Sequence, residues 1–361
     1  MKSCFVFGTR PEVIKVAPVY LYFKNQGEKT IAIATAQHRE MMDMMLQVFN
    51  IESDYDLNVM TQNQSLNSIV ARVMERLEPI LLKEKPEIVF VQGDTTTAFT
   101  AALCGFHLSI PVAHIEAGLR SGDLHDPFPE ELNRRLIDVA SQYLFAPTKR
   151  ARENLLREGV EEARIFVVGN TVVDALEHVK SKIDINSYRE RLIGLDDYIL
   201  LTLHRRENIG ERMRSVLRGI AQFVNEVDLR VVFPVHKNPK VREIVNQEVG
   251  NNPRFTLIEP VNYLQFLSLL DGARFVVTDS GGVQEEAPSF GKFVVVARET
   301  TERPELIEAG FGLLSGTSQE SIYKALVQAN QKKVHISENP FGDGKTSERI
   351  YRITRGENIR C

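Results

Sequence analysis

The sequence predicts an α/β protein of two Rossmann-like lobes with an active-site cleft between them. Three observations carry this. Short β-rich runs alternate with helical patterns throughout, as in a parallel sheet with crossover helices. The runs fall into two sets of six. Charged and glycine-bearing clusters follow these runs directly, where open α/β sheets bind their ligands.

The first set covers residues 3–8, 30–36, 88–92, 112–115, 143–146 and 165–168; the second covers 198–202, 230–234, 255–258, 275–278, 293–296 and 312–314. The expected division is a first lobe at 1–170, a second at 171–345 and a terminal helix, 346–361, returning to the first lobe. A polar helical stretch at 174–192 bridges the two lobes. The 361 residues exceed one compact domain, and 43% apolar with 25% charged residues is ordinary for a soluble enzyme. A net charge of -4 argues against nucleic acid as the main partner. No apolar run reaches membrane-spanning length, and the chain enters a strand directly at Cys4-Phe5-Val6-Phe7 without a signal peptide. Cys4, Cys104 and Cys361 lack metal spacing and read as reduced thiols, so a cytoplasmic protein without membrane contact is expected.

Taken in order, the strand ends carry the chemistry. Gly8-Thr9-Arg10-Pro11-Glu12 is a tight strand-to-helix turn in which Pro11 presets a helical start. Arg10 and Lys15 near that start oppose the helix dipole, which favours an anion clamp over surface cations. Gly93-Asp94-Thr95-Thr96-Thr97 offers Asp94 either as an N-cap or as a cleft acid. Glu116 ends an apolar strand beside His114, where a structural role is hard to find. The helix entry Asp126-Pro127-Phe128-Pro129-Glu130-Glu131 places two acids in a first turn; either they only complement the dipole, or one of them is a third cleft carboxylate.

In the second lobe His204 heads a cationic cluster with Arg205 and Arg206, suited to proton chemistry or to a leaving phosphate. Thr278-Asp279-Ser280-Gly281-Gly282-Val283-Gln284-Glu285-Glu286 joins a β-branched strand to a helix at 283–290. Ser280 is a natural N-cap, and the glycines let an anion approach the helix's amides. Glu286, four residues after Gly282, projects from the same face and suits ribose hydroxyls. An ordinary capped turn with a solvated Glu remains the alternative. No cluster has metal-ligand spacing, and no Gly-x-Gly-x-x-Gly follows an early strand, so neither a metal nor a nicotinamide cofactor is expected.

Together with Glu116-Ala117-Gly118-Leu119-Arg120, His204-Arg205-Arg206-Glu207-Asn208 and Thr300-Thr301-Glu302-Arg303-Pro304-Glu305, these motifs resemble the non-hydrolysing UDP-N-acetylglucosamine 2-epimerases of bacterial type. The resemblance implies the two-lobed GT-B fold and reversible epimerisation of UDP-N-acetylglucosamine to UDP-N-acetylmannosamine, an isomerase step supplying cell-envelope polysaccharide synthesis. It implies that Asp94, Glu116 and Glu130 are catalytic with His204. Ser280, Gly281 and Gly282 would hold the diphosphate, and Glu286 the ribose. Arg10, Lys15 and Arg303 would surround phosphates and sugar, with Val261 and Phe266 beside the uracil. It further implies a homodimer and an allosteric second substrate site at Gln37, His38 and Arg72.

The C2 proton beside an N-acetyl group is not acidic. Elimination of UDP to 2-acetamidoglucal, followed by re-addition after protonation on the other face, is the route that needs no redox cofactor. The rival readings are a glycosyltransferase of the same fold and a hydrolysing epimerase that releases free N-acetylmannosamine.

Overall fold

Residues such as Ile88-Val89-Phe90-Val91-Gln92 form strands that are buried at every position, because a parallel strand covered by helices on both sides has no solvent face. The computed structural model describes residues 1–36, 39–60, 64–182, 197–332 and 339–357. They divide into two units, Met1–Ser181 with Phe341–Cys361, and Lys182–Pro340.

The first unit runs β1 (Lys2–Phe7), α1 (Arg10–Asn25), β2 (Lys29–Ala34), α2 (Arg39–Phe49), β3 (Tyr55–Asp56), α3 (Leu66–Glu84), β4 (Ile88–Gln92), α4 (Thr96–His107), β5 (Val112–Ile115), α5 (Glu130–Ala140), β6 (Tyr143–Ala146), α6 (Lys149–Arg157), β7 (Ile165–Val167) and α7 (Thr171–Lys182). Its sheet has the order β3-β2-β1-β4-β5-β6-β7. The pairs are parallel, for example Cys4 opposite Ile31 on one side and Val89 on the other. The order reverses between β1 and β4, so the crevice beyond their carboxyl ends is the natural ligand position.

The second unit runs β8 (Tyr198–Thr202), α8 (Glu211–Glu226), β9 (Arg230–Pro234), α9 (Pro239–Val249), β10 (Phe255–Ile258), α10 (Tyr263–Gly272), β11 (Phe275–Thr278), α11 (Gly281–Glu286), β12 (Val294–Val296), α12 (Pro304–Glu308), β13 (Gly312–Leu314) and α13 (Gln319–Gln331). Its parallel sheet, β10-β9-β8-β11-β12-β13, reverses between β8 and β11. One core cluster links one face of its apolar strands to α8, α9 and α13.

The chain then returns to the first unit as α14 (Thr346–Thr354). Asp174 on α7 accepts hydrogen bonds from the backbone N–H groups of Thr346 (3.2 Å) and Ser347 (2.7 Å), at the start of α14. Tyr351 packs its ring on Phe23 and Tyr22 of α1, with centroids 5.0 and 5.6 Å away. A side-chain cap and an aromatic contact therefore hold the terminal helix where a bare chain end would fray.

The structure differs from the sequence reading in detail. The first sheet has a seventh strand, β3, whose two residues are too few to show a period. The helix expected at 283–290 begins at Gly281 and gives way after Glu286 to a 3₁₀ turn, Ala287–Phe290, because Pro288 has no N–H to continue the ladder. Of the expected stretch 174–192, residues 174–182 lie on α7 and 183–192 lie outside the described residues. Among the described residues no helix is long and apolar enough to cross a membrane.

Candidate active site

The turn after β1 is set by Glu12, which is buried and accepts from the N–H groups of Gly8 (2.7 Å) and Thr9 (2.8 Å) and from Thr95 Oγ1 (2.5 Å). Burial pushes its carboxyl upward despite these bonds. A side chain at position 8 would meet Thr35 Oγ1 at 1.9 Å, so only glycine lets the turn close. Arg10 begins α1, and Lys15 stands one turn further in, largely buried. Its Nζ lies on Glu116 Oε1 at 2.5 Å.

Glu116 follows β5 with φ of 73°, a conformation costing a non-glycine residue about 1–2 kcal/mol. The cost aims its carboxylate at three donors: Lys15, Gln92 Nε2 and, at 3.4 Å, Asn170 Nδ2. Asp94 is not the N-cap of α4. Thr95 takes that role, accepting from Ala98 N at 3.0 Å. Asp94 instead pairs its carboxylate with Arg134 Nη2, and its carbonyl accepts from Asn133 Nδ2 at 2.9 Å.

The structure separates the two acids of the α5 first turn. Glu131 is fully buried and occupied by Ser121 N (3.0 Å), Arg134 (3.1 Å) and Arg135 (3.0 and 3.1 Å). Its neighbour Glu130 has a buried oxygen, Oε2, with no hydrogen-bond partner among the described residues. Buried carboxylate oxygens seldom stay unsatisfied in a resting fold, so this one is available to a ligand. Asp94, Glu116 and Glu130 thus all belong to the carboxyl-end rim formed by β4, β5 and the entry to α5.

In the second unit Asp279, fully buried after β11, organises the turn after β8. Its carboxylate accepts from His204 N (3.1 Å), Arg205 N (3.0 Å) and Asn208 Nδ2 (3.0 Å), and lies 3.3 Å from His204 Nδ1. The His204 ring stays 44% exposed and stacks on His236 at 6.1 Å. Asp279 is a site residue that the sequence motifs leave without a role. Its signal was an acid at a strand end next to the capping position. The same motifs give no role to Gln92, Arg134 and Asn170, polar residues whose partners are remote in sequence.

Ser280 occupies the N-cap of α11, but its hydroxyl makes no cap bond. Arg303 lies over Gly281 and donates from Nε to Glu285 Oε1 at 2.8 Å. The loop carrying it is pinned by Thr301, which donates to Gln284 Oε1 (2.6 Å) and accepts from Arg303 N (3.1 Å). Glu302 takes two bonds from Arg298, at 2.7 and 3.1 Å. Burial alone would raise its carboxyl, but the bonds from Arg298 and the charges of Arg303 and Arg205 bring it down to about 2. Glu286 is buried one turn below the glycines. Val261 and Phe266 flank the start of α10, part-buried, where Asn262 and Gln265 form a capping box. Of the expected allosteric residues, Arg72 on α3 donates to Val59 O (3.1 Å) and Gln64 Oε1 (2.7 Å), while Gln37 and His38 lie outside the described residues. Among the described residues no group of three or more His, Cys, Asp or Glu is placed to hold a metal ion.

The family model for UDP-N-acetylglucosamine 2-epimerase matches residues 23–355. The UDP-N-acetylglucosamine 2-epimerase of Bacillus subtilis is 45% identical over 360 residues, covering 97% of this chain and 94% of that one. That of Escherichia coli K12 is 44% identical over 374 residues, covering 99% and 100%. Among solved structures, the Neisseria meningitidis UDP-GlcNAc 2-epimerase bound to UDP-GlcNAc superposes with a TM-score of 0.91 at 41% identity, covering 99% of this chain and 100% of that one. The Methanocaldococcus jannaschii UDP-GlcNAc 2-epimerase in complex with UDP-GlcNAc and UDP gives 0.86 at 39% identity, covering 99% and 100%.

Proposed function

This chain belongs to the UDP-N-acetylglucosamine 2-epimerase family, and from that premise we propose how its residues carry out the reaction. The fold is α/β, with two Rossmann-like units of the GT-B type. The protein is an isomerase that interconverts UDP-N-acetylglucosamine and UDP-N-acetylmannosamine without releasing free sugar.

The observation that carries the mechanism is the carboxylate set of the first unit, because inversion at C2 needs a base on one face and an acid on the other. Glu116 is held by Lys15 and Gln92, Asp94 by Arg134, and Glu130 keeps an oxygen without a hydrogen-bond partner among the described residues. One carboxylate takes the C2 proton as the C1–O bond to UDP breaks, giving 2-acetamidoglucal. A proton then returns to C2 on the opposite face as the diphosphate oxygen attacks C1. Lys15 holds Glu116 in place and adds positive charge near the departing diphosphate, alongside Arg10.

The second unit binds the nucleotide. The N–H groups of Gly281 and Gly282 and the hydroxyl of Ser280, which makes no cap bond, receive the diphosphate with Arg303, and Glu286 receives ribose hydroxyls. His204, oriented by Asp279 at Nδ1, presents Nε2 to the leaving phosphate. Val261 and Phe266 contact the uracil. Arg72, with Gln37 and His38, would bind a regulatory second substrate molecule.

A homodimer is supported by α5. Leu132, Leu136 and Val139 recur at helical spacing and are 42%, 39% and 72% exposed, and Phe106 on the adjoining α4 is 59% exposed. Such an apolar strip suits a second copy of the same helix.

The test is incubation with UDP-N-acetylglucosamine in deuterated water, followed by proton NMR. Epimer bearing deuterium at C2 is expected. Free N-acetylmannosamine would identify a hydrolysing enzyme instead, and no turnover without an acceptor would point to a transferase.

A further inference from the structure

His114, the penultimate residue of β5, is wholly buried and lies between two turns that carry the proposed catalytic acids. Its Nε2 is 2.8 Å from the carbonyl oxygen of Gly93, the residue before Asp94. Its Nδ1 is 2.6 Å from Oδ1 of Asp138, on α5. A carbonyl only accepts, so Nε2 donates to Gly93. Asp138 is 1% exposed, and its other oxygen accepts from Arg120 Nη2 (2.7 Å) and from Gly118 N (3.3 Å). Burial alone would raise the Asp138 carboxyl, but His114 and Arg120 bring it below the ordinary value, so it remains an ionised acceptor.

The two hydrogen bonds reach opposite sides of the rim. Gly93 has φ of 72° and its N–H donates to Ile115 O at 3.1 Å, so among the described residues its peptide has little support besides this bond and His114. Moving that carbonyl swings the next residue, Asp94. Gly118 ends the turn that begins at Glu116, and Arg120 lies two residues beyond it. The mechanism has no step for His114 or Asp138, which touch the rim only through Gly93 and through Gly118 and Arg120.

We infer that His114 and Asp138 are positioning residues that set the spacing between Asp94 and Glu116 by linking the Gly93 carbonyl to the Gly118–Arg120 segment. The inference rests on the reading of Asp94 and Glu116 as the acid–base pair. Misplacing a reacting group by about 1 Å costs on the order of 100-fold in rate, whereas binding of the nucleotide in the second unit is untouched by this link.

Two substitutions separate the two bonds. In His114→Gln the amide nitrogen replaces Nε2 and keeps the bond to Gly93; in His114→Asn it replaces Nδ1 and keeps only the bond to Asp138. Steady-state kinetics, UDP affinity by calorimetry and thermal melting are measured on the full chain. His114→Asn is expected to lose about 10- to 100-fold in kcat, with KM and UDP affinity within about threefold of the parent, and His114→Gln to recover most of that loss. Equal losses in both variants, losses that follow a falling melting temperature, or parental kcat in both would overturn the inference. Should His114→Asn not fold, Asp138→Asn takes its place: a lowered kcat with unchanged UDP affinity supports the link, and parental kcat overturns it. An unsubstituted chain that fails to exchange the C2 proton would defeat the proposed mechanism itself, a result distinct from active enzyme indifferent to position 114.

Discussion

The guanidinium of Arg303 lies so close over Gly281 that a methyl group there would stand 2.9 Å from Cζ and 3.0 Å from Nη1. The glycine therefore leaves room for the arginine at the helix start, where the diphosphate is proposed to bind.

Gly281→Ala should displace Arg303 without disturbing the fold, because the atoms it meets are the end of a long side chain. UDP affinity should fall by about tenfold or more, the effect of removing one charge-assisted hydrogen bond to the diphosphate, while the melting temperature stays within a few degrees. Calorimetric titration beside a thermal melt checks this; parental UDP affinity would separate Arg303 from the diphosphate.

Amide substitutions at Asp94, Glu116 and Glu130 should each lower kcat by roughly 10²–10⁴-fold while UDP still binds. Glu131→Gln should act differently. Its carboxylate is taken up by Ser121, Arg134 and Arg135, so the expected loss is in stability. Comparing kcat with the melting temperature across the four variants distinguishes the two kinds of acid.

The Glu302 carboxyl lies at about 2 in the fold against an ordinary 4.5. A lowered value contributes stability that is fully present above pH 4.5 and is lost as pH falls towards 2. The shift corresponds to about 3 kcal/mol. Glu302→Gln should therefore lower stability at pH 6 and flatten its decline between pH 4.5 and 2, measured by denaturant unfolding across that range. A parallel decline in both proteins would deny Glu302 this role.

Leu136→Glu on the exposed α5 strip should weaken self-association by about tenfold or more, since a dimer would bury the new charge. Light scattering over a dilution series reads this directly. An unchanged mass distribution would place any dimer interface elsewhere.

How far each unit could be read from sequence depended on the range of the interactions. Strands such as β8, β9, β10 and β11 occur at the expected residues because apolar, β-branched runs bounded by polar turns are local patterns. The two-residue β3 escaped for want of a period, and Pro288 shortened α11. Strand order followed from no local pattern, yet it decides that β1 meets β4 and that β8 meets β11, and so where each crevice opens.

The sequence by itself determined the fold class, the family and the residue types at the strand ends, because those are written in composition, spacing and contiguous motifs. Tertiary structure alone decided which partners each acid has. Asp94 stood as either a cap or a cleft acid until Thr95 capped α4 and Arg134, forty residues on, paired with Asp94. Position in the helix's first turn left Glu130 and Glu131 alike, and the resemblance named Glu130; the fold supplies the physical difference, three donors closed around Glu131. Lys15 meets Glu116, and His114 meets Gly93 and Asp138, only when separate strands lie side by side. A side chain's chemistry depends on its nearest charges and donors, and chain folding rather than sequence spacing chooses those neighbours.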